Sequence, residues 1–383
     1  MTTLRVIIDQ IVSPVPGGIG RYAEELTRAL IATAPAGCHV EGVVSASTEE
    51  QYQHIADVLP GLAALYKSPL DRRSLAAAWQ HGFTTLPGRG MIHAMSLLAP
   101  LHRHDRVNEN EQIAVTLHDV VPWTHPETLT PRGVSWHIAM AKRAQKYADA
   151  VVVPTHAVAT QLREYLDFGD RVRVIGGAVS SNLRVPDDAD VRAAALGLPE
   201  NYVLAVGTLE PRKGLDALIA AMGRDDAPDL PLLIAGPDGW GDVSVERLRE
   251  EAGIPEGKVR ALGRLSDEDL AVAMRRATVF VFPSRAEGFG LPVIEAFALG
   301  TPVIHSDTPA LLEVAADAGL AVPLADPDDA DPSGYAARLA EAISRVVGDD
   351  DLRATMRTLG QDRARAFSWT ASAEKVWQLH ADL

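Results

Sequence analysis

The sequence predicts an α/β protein made of two parallel-sheet domains, and three observations carry that expectation. At 383 residues the chain exceeds the roughly 100–200 residues of one ordinary domain. Short β-branched runs alternate with amphipathic stretches and Gly, Pro and Asp connections, the pattern of parallel strands joined by crossover helices. That pattern runs twice, interrupted by Gly176–Pro199, which lacks a strand signal and reads as an interdomain connection.

In the first half the predicted strands are Leu4–Ile8, His39–Val44, Gly90–His93, Ile113–Leu117, Ala150–Val153 and Arg171–Ile175, with a helix over Tyr22–Ala32. In the second half they are Tyr202–Val206, Leu230–Ala235, Val259–Leu262, Val279–Phe282, Pro302–His305 and Leu320–Val322, separated by helices such as Gly214–Met222 and Leu291–Leu299. The boundary falls near residue 180. In such sheets ligands bind beyond the carboxyl ends of the strands, so two sheets facing each other would share one cleft.

Composition narrows the function classes. Hydrophobic residues make up 47% and charged ones 23%, which is globular composition, and no apolar run reaches the roughly 18 residues of a membrane span. The opening Met1–Asp9 enters a strand-like run without a signal-peptide pattern, so a cytoplasmic protein is expected. Cys38 is the only cysteine, which excludes an intramolecular disulfide and a cysteine-built metal site. The net charge of −15 is uneven: residues 1–180 hold 16 Lys and Arg against 17 Asp and Glu, and the remainder 20 against 34. An acidic chain has little long-range attraction for nucleic acid, so no nucleic-acid partner is expected and an anionic ligand needs a local pocket. Lys142, Arg143 and Lys146 form a small basic group on a predicted helix, open to two readings: a solvated face or a peripheral contact with lipid headgroups at the inner membrane face.

The most informative segment is Pro283-Ser284-Arg285-Ala286-Glu287-Gly288-Phe289-Gly290-Leu291-Pro292-Val293-Ile294-Glu295, between a strand and a helix. Pro292 suits the first helical turn, where its missing N–H costs nothing. The amides of Gly290, Leu291 and their neighbours are then placed to receive an anion at the positive helix end. Glu287 on the loop can hydrogen-bond sugar hydroxyls and Glu295 a ribose; the same segment also fits an ordinary turn with Glu287 solvated and Glu295 on an exposed face. In Gly207-Thr208-Leu209-Glu210-Pro211-Arg212-Lys213-Gly214, Arg212 and Lys213 are cations able to stabilise charge on a leaving diphosphate. Pro16-Gly17-Gly18-Ile19-Gly20-Arg21-Tyr22 permits close backbone approach to a phosphate or sugar. His118-Asp119, followed by Pro122-Trp123, places an imidazole and an acid at a strand end. Asp188-Ala189-Asp190 and Asp326-Pro327-Asp328 imitate metal-binding acid pairs but fall in polar connections. His102, His104 and Asp105 read as a mobile loop near an acceptor.

The Glu287–Glu295 segment, with seven residues between its glutamates, resembles the signature of the retaining glycosyltransferase family 4. The resemblance covers nearly the whole chain: the glycine-rich loop, His118-Asp119, the Gly207–Gly214 segment and a closing Phe367-Ser368-Trp369. It implies a GT-B architecture, two Rossmann-like domains facing each other across a cleft. Residues 1–180 would form an acceptor domain and 181–365 a donor domain, with a last helix, about 366–383, crossing back onto the first.

It further implies a nucleotide-diphosphate sugar as donor substrate, a saccharide or lipid-linked acceptor, and neither metal nor cofactor. Lys213 would contact the diphosphate. Family members commonly carry an arginine after the first glycine; Thr208 stands there instead, and Arg212 is a possible substitute. Glu287 and His118 would hold the sugar, Glu295 the ribose, and Gly263-Arg264-Leu265 the base. Gly17, Gly18 and the Phe289-Gly290-Leu291 turn would touch the donor, and Asp119 and Trp123 the acceptor. The retention expectation comes from the resemblance and not from carboxylate spacing. The Gly207–Lys213 wording resembles enzymes of bacterial surface polysaccharide synthesis that often take mannose from a guanosine donor. Three rivals remain: a nucleotide-sugar epimerase or phosphorylase, an NAD-dependent oxidoreductase suggested by the Gly18–Ala23 spacing, and a silent binding module.

Overall fold

The computed structural model describes residues 2–15, 17–84, 86, 90–237, 244–325 and 334–383. They form two compact units, Met1–Gly177 with Ser368–Leu383, and Ala178–Phe367.

The first unit holds seven strands: β1 (Thr2–Ile7), β2 (Cys38–Ala46), β3 (Ala64–Asp71), β4 (Met91–Ala94), β5 (Gln112–Thr116), β6 (Ala150–Val153) and β7 (Val172–Val174). They make one parallel sheet in the order β3-β2-β1-β4-β5-β6-β7, with Leu4 opposite Val40 on one side and Met91 on the other. Successive side chains alternate between the faces. Leu4, Val6 and Ile8 therefore join one buried cluster with Leu26, Leu30, Val376 and Trp377, while Ile7 joins another with Ile92, Val115, Trp79 and Met140.

The last helix, Trp369–Asp382, completes the first of these clusters. Ser368 caps it through the Ala371 amide, Ser372 Oγ donates to Gly176 O at 2.8 Å, and Trp377 Nε1 donates to Leu30 O at 3.3 Å.

The second unit holds β8 (Val203–Val206), β9 (Leu232–Ala235), β10 (Val259–Gly263), β11 (Val279–Phe282), β12 (Val303–Ser306) and β13 (Leu320–Val322). Their order, all parallel, is β10-β9-β8-β11-β12-β13. The chain leaves β8 toward one edge and returns at β11 toward the other, so the loops after β8 and β11 flank the point where strand order reverses.

Three expectations need correction. Strand β3 was not anticipated; it carries Pro69 at a sheet edge, where a missing N–H is tolerated but the strand signal is broken. The helix expected over Tyr22–Ala32 begins at Gly17, so Gly17 and Gly18 are its exposed first turn and not a separate loop. The segment His102–Asp105 is pinned: His104 Nε2 lies 2.7 Å from Asp149 Oδ2, and His102 Nε2 lies 3.2 Å from Glu111 Oε1. The connection Gly176–Pro199 also contains a short helix, Ala189–Ala195.

Candidate active site

The loops after β8 and β11 are locked together. Gly214 takes φ +66°, and a Cβ there would stand 2.1 Å from Pro283 O, so only glycine lets the two backbones meet. Arg285 N donates to Arg212 O at 2.6 Å, and the Arg285 guanidinium holds Asp216 through two 2.8 Å bonds. Tyr335 OH donates to Pro283 O at 3.1 Å from behind.

This frame aims two hydrogen-bond donors and a second cation at one oxygen. Glu287 Oε1 lies 2.5 Å from Lys213 Nζ, 2.7 Å from Ser284 Oγ and 3.7 Å from Arg212 Nη1. Burial pushes the Glu287 carboxyl upward, yet the charges of Lys213 and Arg212 and hydrogen bonds from Lys213 and Ser284 outweigh it and hold the group below its ordinary value. Glu287 is thus ionised, with Oε1 anchored and Oε2 left for another donor. Arg212 is tied to Glu210 at 3.1 Å, and Lys213 sits 5.4 Å from the Phe282 ring centre.

Beside this cluster starts the helix Leu291–Ala298. Gly290 at φ +94° caps it, and a Cβ there would meet Leu311 at 2.4 Å. Among the described residues the Gly290 and Leu291 amides donate to no protein acceptor, while Val293 N donates back to Gly290 O at 3.0 Å. Cation and helix start therefore flank the same reversal point, an arrangement fitted to a diphosphate. Glu295, fifth in this helix, is only 1% exposed, which overturns the reading of an exposed helix face. Phe289 spends its ring on the core, edge-on to Phe367 at 5.6 Å.

Thr208 is half-buried, and its carbonyl accepts from Glu210 N at 2.7 Å. Gly263 ends β10 at φ +67°, its carbonyl bound by Gly236 N, with Arg264 exposed and Leu265 half-buried after it. All these elements lie at the carboxyl edge of the second sheet.

In the first unit the corresponding reversal lies between β1 and β4. His118, after β5, reaches across so that Nε2 stands 2.7 Å from Met95 O. A carbonyl can only accept, so Nε2 carries the proton; burial holds the pKa below its ordinary value, leaving Nδ1 of the neutral ring as an acceptor. The buried Tyr22 ring meets His118 edge-on at 4.9 Å and fixes its plane. Asp119 Oδ1 accepts from Val121 N at 3.0 Å, and Trp123 stacks on Tyr165 at 5.4 Å.

Ser284 and Tyr22 carry no role in the sequence reading. A hydroxyl three residues before an acid was a usable signal for Ser284, whereas nothing in sequence marks Tyr22. The acid pair Asp188 and Asp190 is taken by arginines, Asp188 by Arg192 at 2.8 Å and Asp190 by Arg276. Asp326-Pro327-Asp328 lies outside the described residues. Among the described residues no group of three or more His, Cys, Asp or Glu is placed to share a cation, and no helix is long and apolar enough to cross a membrane.

Two parallel-sheet units with loops gathered at the reversal points are shared with solved structures of glycosyltransferase fold. Sucrose-phosphate synthase from Thermosynechococcus elongatus superposes with a TM-score of 0.74 at 25% identity, over 100% of this chain and 99% of that one. WaaG, a glycosyltransferase involved in lipopolysaccharide biosynthesis, does so at 0.69 and 16%, over 98% of each, a likeness of fold alone.

In sequence, residues 16–182 match the profile of Glycosyltransferase Family 4 and 187–363 that of Glycosyl transferases group 1. The O-antigen chain mannosyltransferase B of Escherichia coli is 31% identical over 272 residues, 68% of this chain and 67% of that protein. The phosphatidyl-myo-inositol mannosyltransferase of Mycolicibacterium smegmatis is 35% identical over 214 residues, about half of each chain at 52%. The chain belongs to the family 4 glycosyltransferases of GT-B fold and transfers a sugar. The oxidoreductase reading falls with this, because Gly18 and Gly20 lie inside a helix and form no tight turn after β1.

Proposed function

We propose that the chain is a retaining, metal-independent hexosyltransferase that moves mannose from a guanosine diphosphate donor to a hydroxyl of a saccharide or lipid-linked acceptor. The observation that carries this reading is the convergence of Lys213, Arg212 and Ser284 on Glu287 Oε1 beside the Gly290–Leu291 helix start. Lys213 would turn part of its charge from Glu287 to the departing diphosphate, and the helix-start amides would take its other oxygens, both stabilising charge that grows as the glycosidic bond breaks. Glu287 Oε2 would accept from a sugar hydroxyl, and His118 Nδ1 from another. Glu295, Gly263, Arg264 and Leu265 are assigned to the ribose and base, with Thr208 and Phe289 in the wall, and Gly17 and Gly18 to donor phosphate. Asp119 and Trp123 are assigned to the acceptor.

In the proposed front-face reaction the acceptor oxygen bonds to the anomeric carbon as the phosphate oxygen leaves. That oxygen takes the acceptor's proton, so no protein base, metal or resident cofactor is needed. The mannose assignment is supported by the two mannosyltransferase relatives. The reaction is assigned to the cytoplasm, with peripheral contact at the inner membrane face.

The test is incubation of the protein with a panel of nucleoside-diphosphate sugars in excess chelator, with the product's anomeric configuration read by NMR. Transfer of mannose with the donor's configuration kept is expected. Inversion, or activity restored only by a divalent cation, would overturn it.

A further inference from the structure

The closing run Phe367-Ser368-Trp369 marks where the chain passes from the second unit to the first. Phe367 packs edge-on against Phe289, and Ser368 caps the last helix through the Ala371 amide. Trp369, the first residue of that helix, is half-buried, and its ring meets Tyr22 at 5.7 Å with the planes 67° apart. One turn on, the bond from Ser372 Oγ to Gly176 O ties this helix start to the segment by which the chain leaves the first unit.

The same Tyr22 ring meets the His118 imidazole at 4.9 Å with the planes 87° apart. Tyr22 is 3% exposed, and its hydroxyl is buried beside Thr116, two residues before His118. Burial pushes that hydroxyl above its usual range, so it stays neutral and serves as no proton source. What Tyr22 gives His118 is a wall.

That wall decides where the histidine accepts. His118 Nε2 donates to Met95 O at 2.7 Å, and a ring held at one atom can still swing about it. The edge of Tyr22 stops the swing and so aims Nδ1, the acceptor of the neutral ring. A tyrosine ring keeps its own plane only where neighbours block rotation about its side-chain bonds, and the Trp369 indole is the ring the last helix sets against it. We propose that Trp369 is a positioning residue for sugar transfer: through Tyr22 it fixes the plane of the His118 imidazole, and with it the direction in which Nδ1 accepts. The consequence for turnover rests on the reading of His118 as a sugar-holding residue; the orientation of the ring does not.

The test reads His118 directly, by the ring nitrogen shifts of the full chain carrying isotope-labelled histidine, without nucleotide, its signals identified by their loss in His118→Gln. The parent should show a protonated Nε2 and a bare Nδ1. Trp369→Leu and Tyr22→Leu should show a mixture of tautomers, because a ring free to leave Met95 loses what fixes its proton, and Trp369→Phe, which keeps a ring, should restore the parental signals. Trp377→Phe, which gives up the Leu30 bond farther along the same helix, is the control for loosened docking and should keep them. With guanosine diphosphate mannose each leucine variant should turn over about threefold to tenfold more slowly at the parental donor KM, the worth of one edge-on ring pair. The double variant should be no slower than Tyr22→Leu alone, since Trp369 acts through Tyr22. Parental His118 signals in Trp369→Leu, equal disturbance by Trp377→Phe, or losses that multiply in the double variant would overturn the proposal. A parent that does not turn over the mannose donor, or parental turnover by His118→Gln, would instead sink the sugar assignment and leave the ring signals to decide.

Discussion

Replacing Lys213 by methionine removes the ammonium 2.5 Å from Glu287 Oε1 and keeps the stem that packs beside Phe282. The two side chains are 16% and 10% exposed, so the pair is screened little by solvent. Deleting one partner of a buried pair costs about 3–5 kcal/mol when the remaining charge is stranded. Here Ser284 at 2.7 Å and Arg212 at 3.7 Å still hold the same oxygen, which brings the expected loss to about 2 kcal/mol. Adding Glu287→Gln to that variant removes the stranded charge and should restore about 1 kcal/mol, whereas Glu287→Gln alone should destabilise.

Acidity supplies an internal check. In the parent the depressed Glu287 pKa contributes stability that is present above the unfolded carboxyl pKa and lost as pH falls from there through the lower folded value. In Lys213→Met burial acts with less opposition and the stranded carboxylate is relieved by protonation, so the gap between parent and variant should narrow on acidification. Urea unfolding without nucleotide, followed by circular dichroism, measures both effects. A Lys213→Met loss below about 0.5 kcal/mol, or Glu287→Gln costing as much in the variant as in the parent, would refute the coupling.

Further expectations concern the frame and the last helix. Gly214→Ala should lose at least about 2 kcal/mol, because its Cβ meets Pro283 O and the residue must keep a positive φ; a parental melting temperature would refute the backbone lock. His93 and His380 are fully buried, with His93 Nδ1 3.3 Å from His380 Nε2 and His380 Nδ1 3.1 Å from Gln112 Oε1. Burial pushes the His93 pKa down to about 4 and, together with His93, pushes His380 well below its ordinary value. The unfolded chain therefore takes up protons first as pH falls, and about 3 kcal/mol should be lost from His93 alone between pH 7 and 4. A variant with His93→Asn and His380→Gln should show a flatter acid limb in thermal unfolding; an unchanged slope would refute the assignment.

Much of the architecture was legible because buried parallel strands read as short apolar runs, as in Val279–Phe282 and Ala150–Val153, whose ends were anticipated to the residue. β3 escaped because Pro69 and Lys67 break its pattern at an edge where burial does not impose one. The glycines of Gly17–Gly20 suggested a loop, but a helix start also accepts glycine, and the buried face Tyr22, Leu26 and Leu30 extends the helix back over them. At the site, residue types and spacing pointed to Glu287 and Lys213, yet not to their ion pair. That contact depends on Gly214 meeting Pro283, a tertiary approach between segments about 70 residues apart. The tautomer of His118 was equally invisible, since it is set by the carbonyl of Met95 on a neighbouring loop.

In the proposed function Lys213 and the helix start at Gly290 receive a nucleoside diphosphate. Isothermal titration of the protein with guanosine, uridine, adenosine and thymidine diphosphates, repeated on Lys213→Ala and on the outlying control Lys258→Ala, measures this directly. One diphosphate should bind the parent and the control alike and bind Lys213→Ala at least about tenfold more weakly, the worth of one charge-assisted contact. Equal affinity of Lys213→Ala and parent for that diphosphate would contradict it.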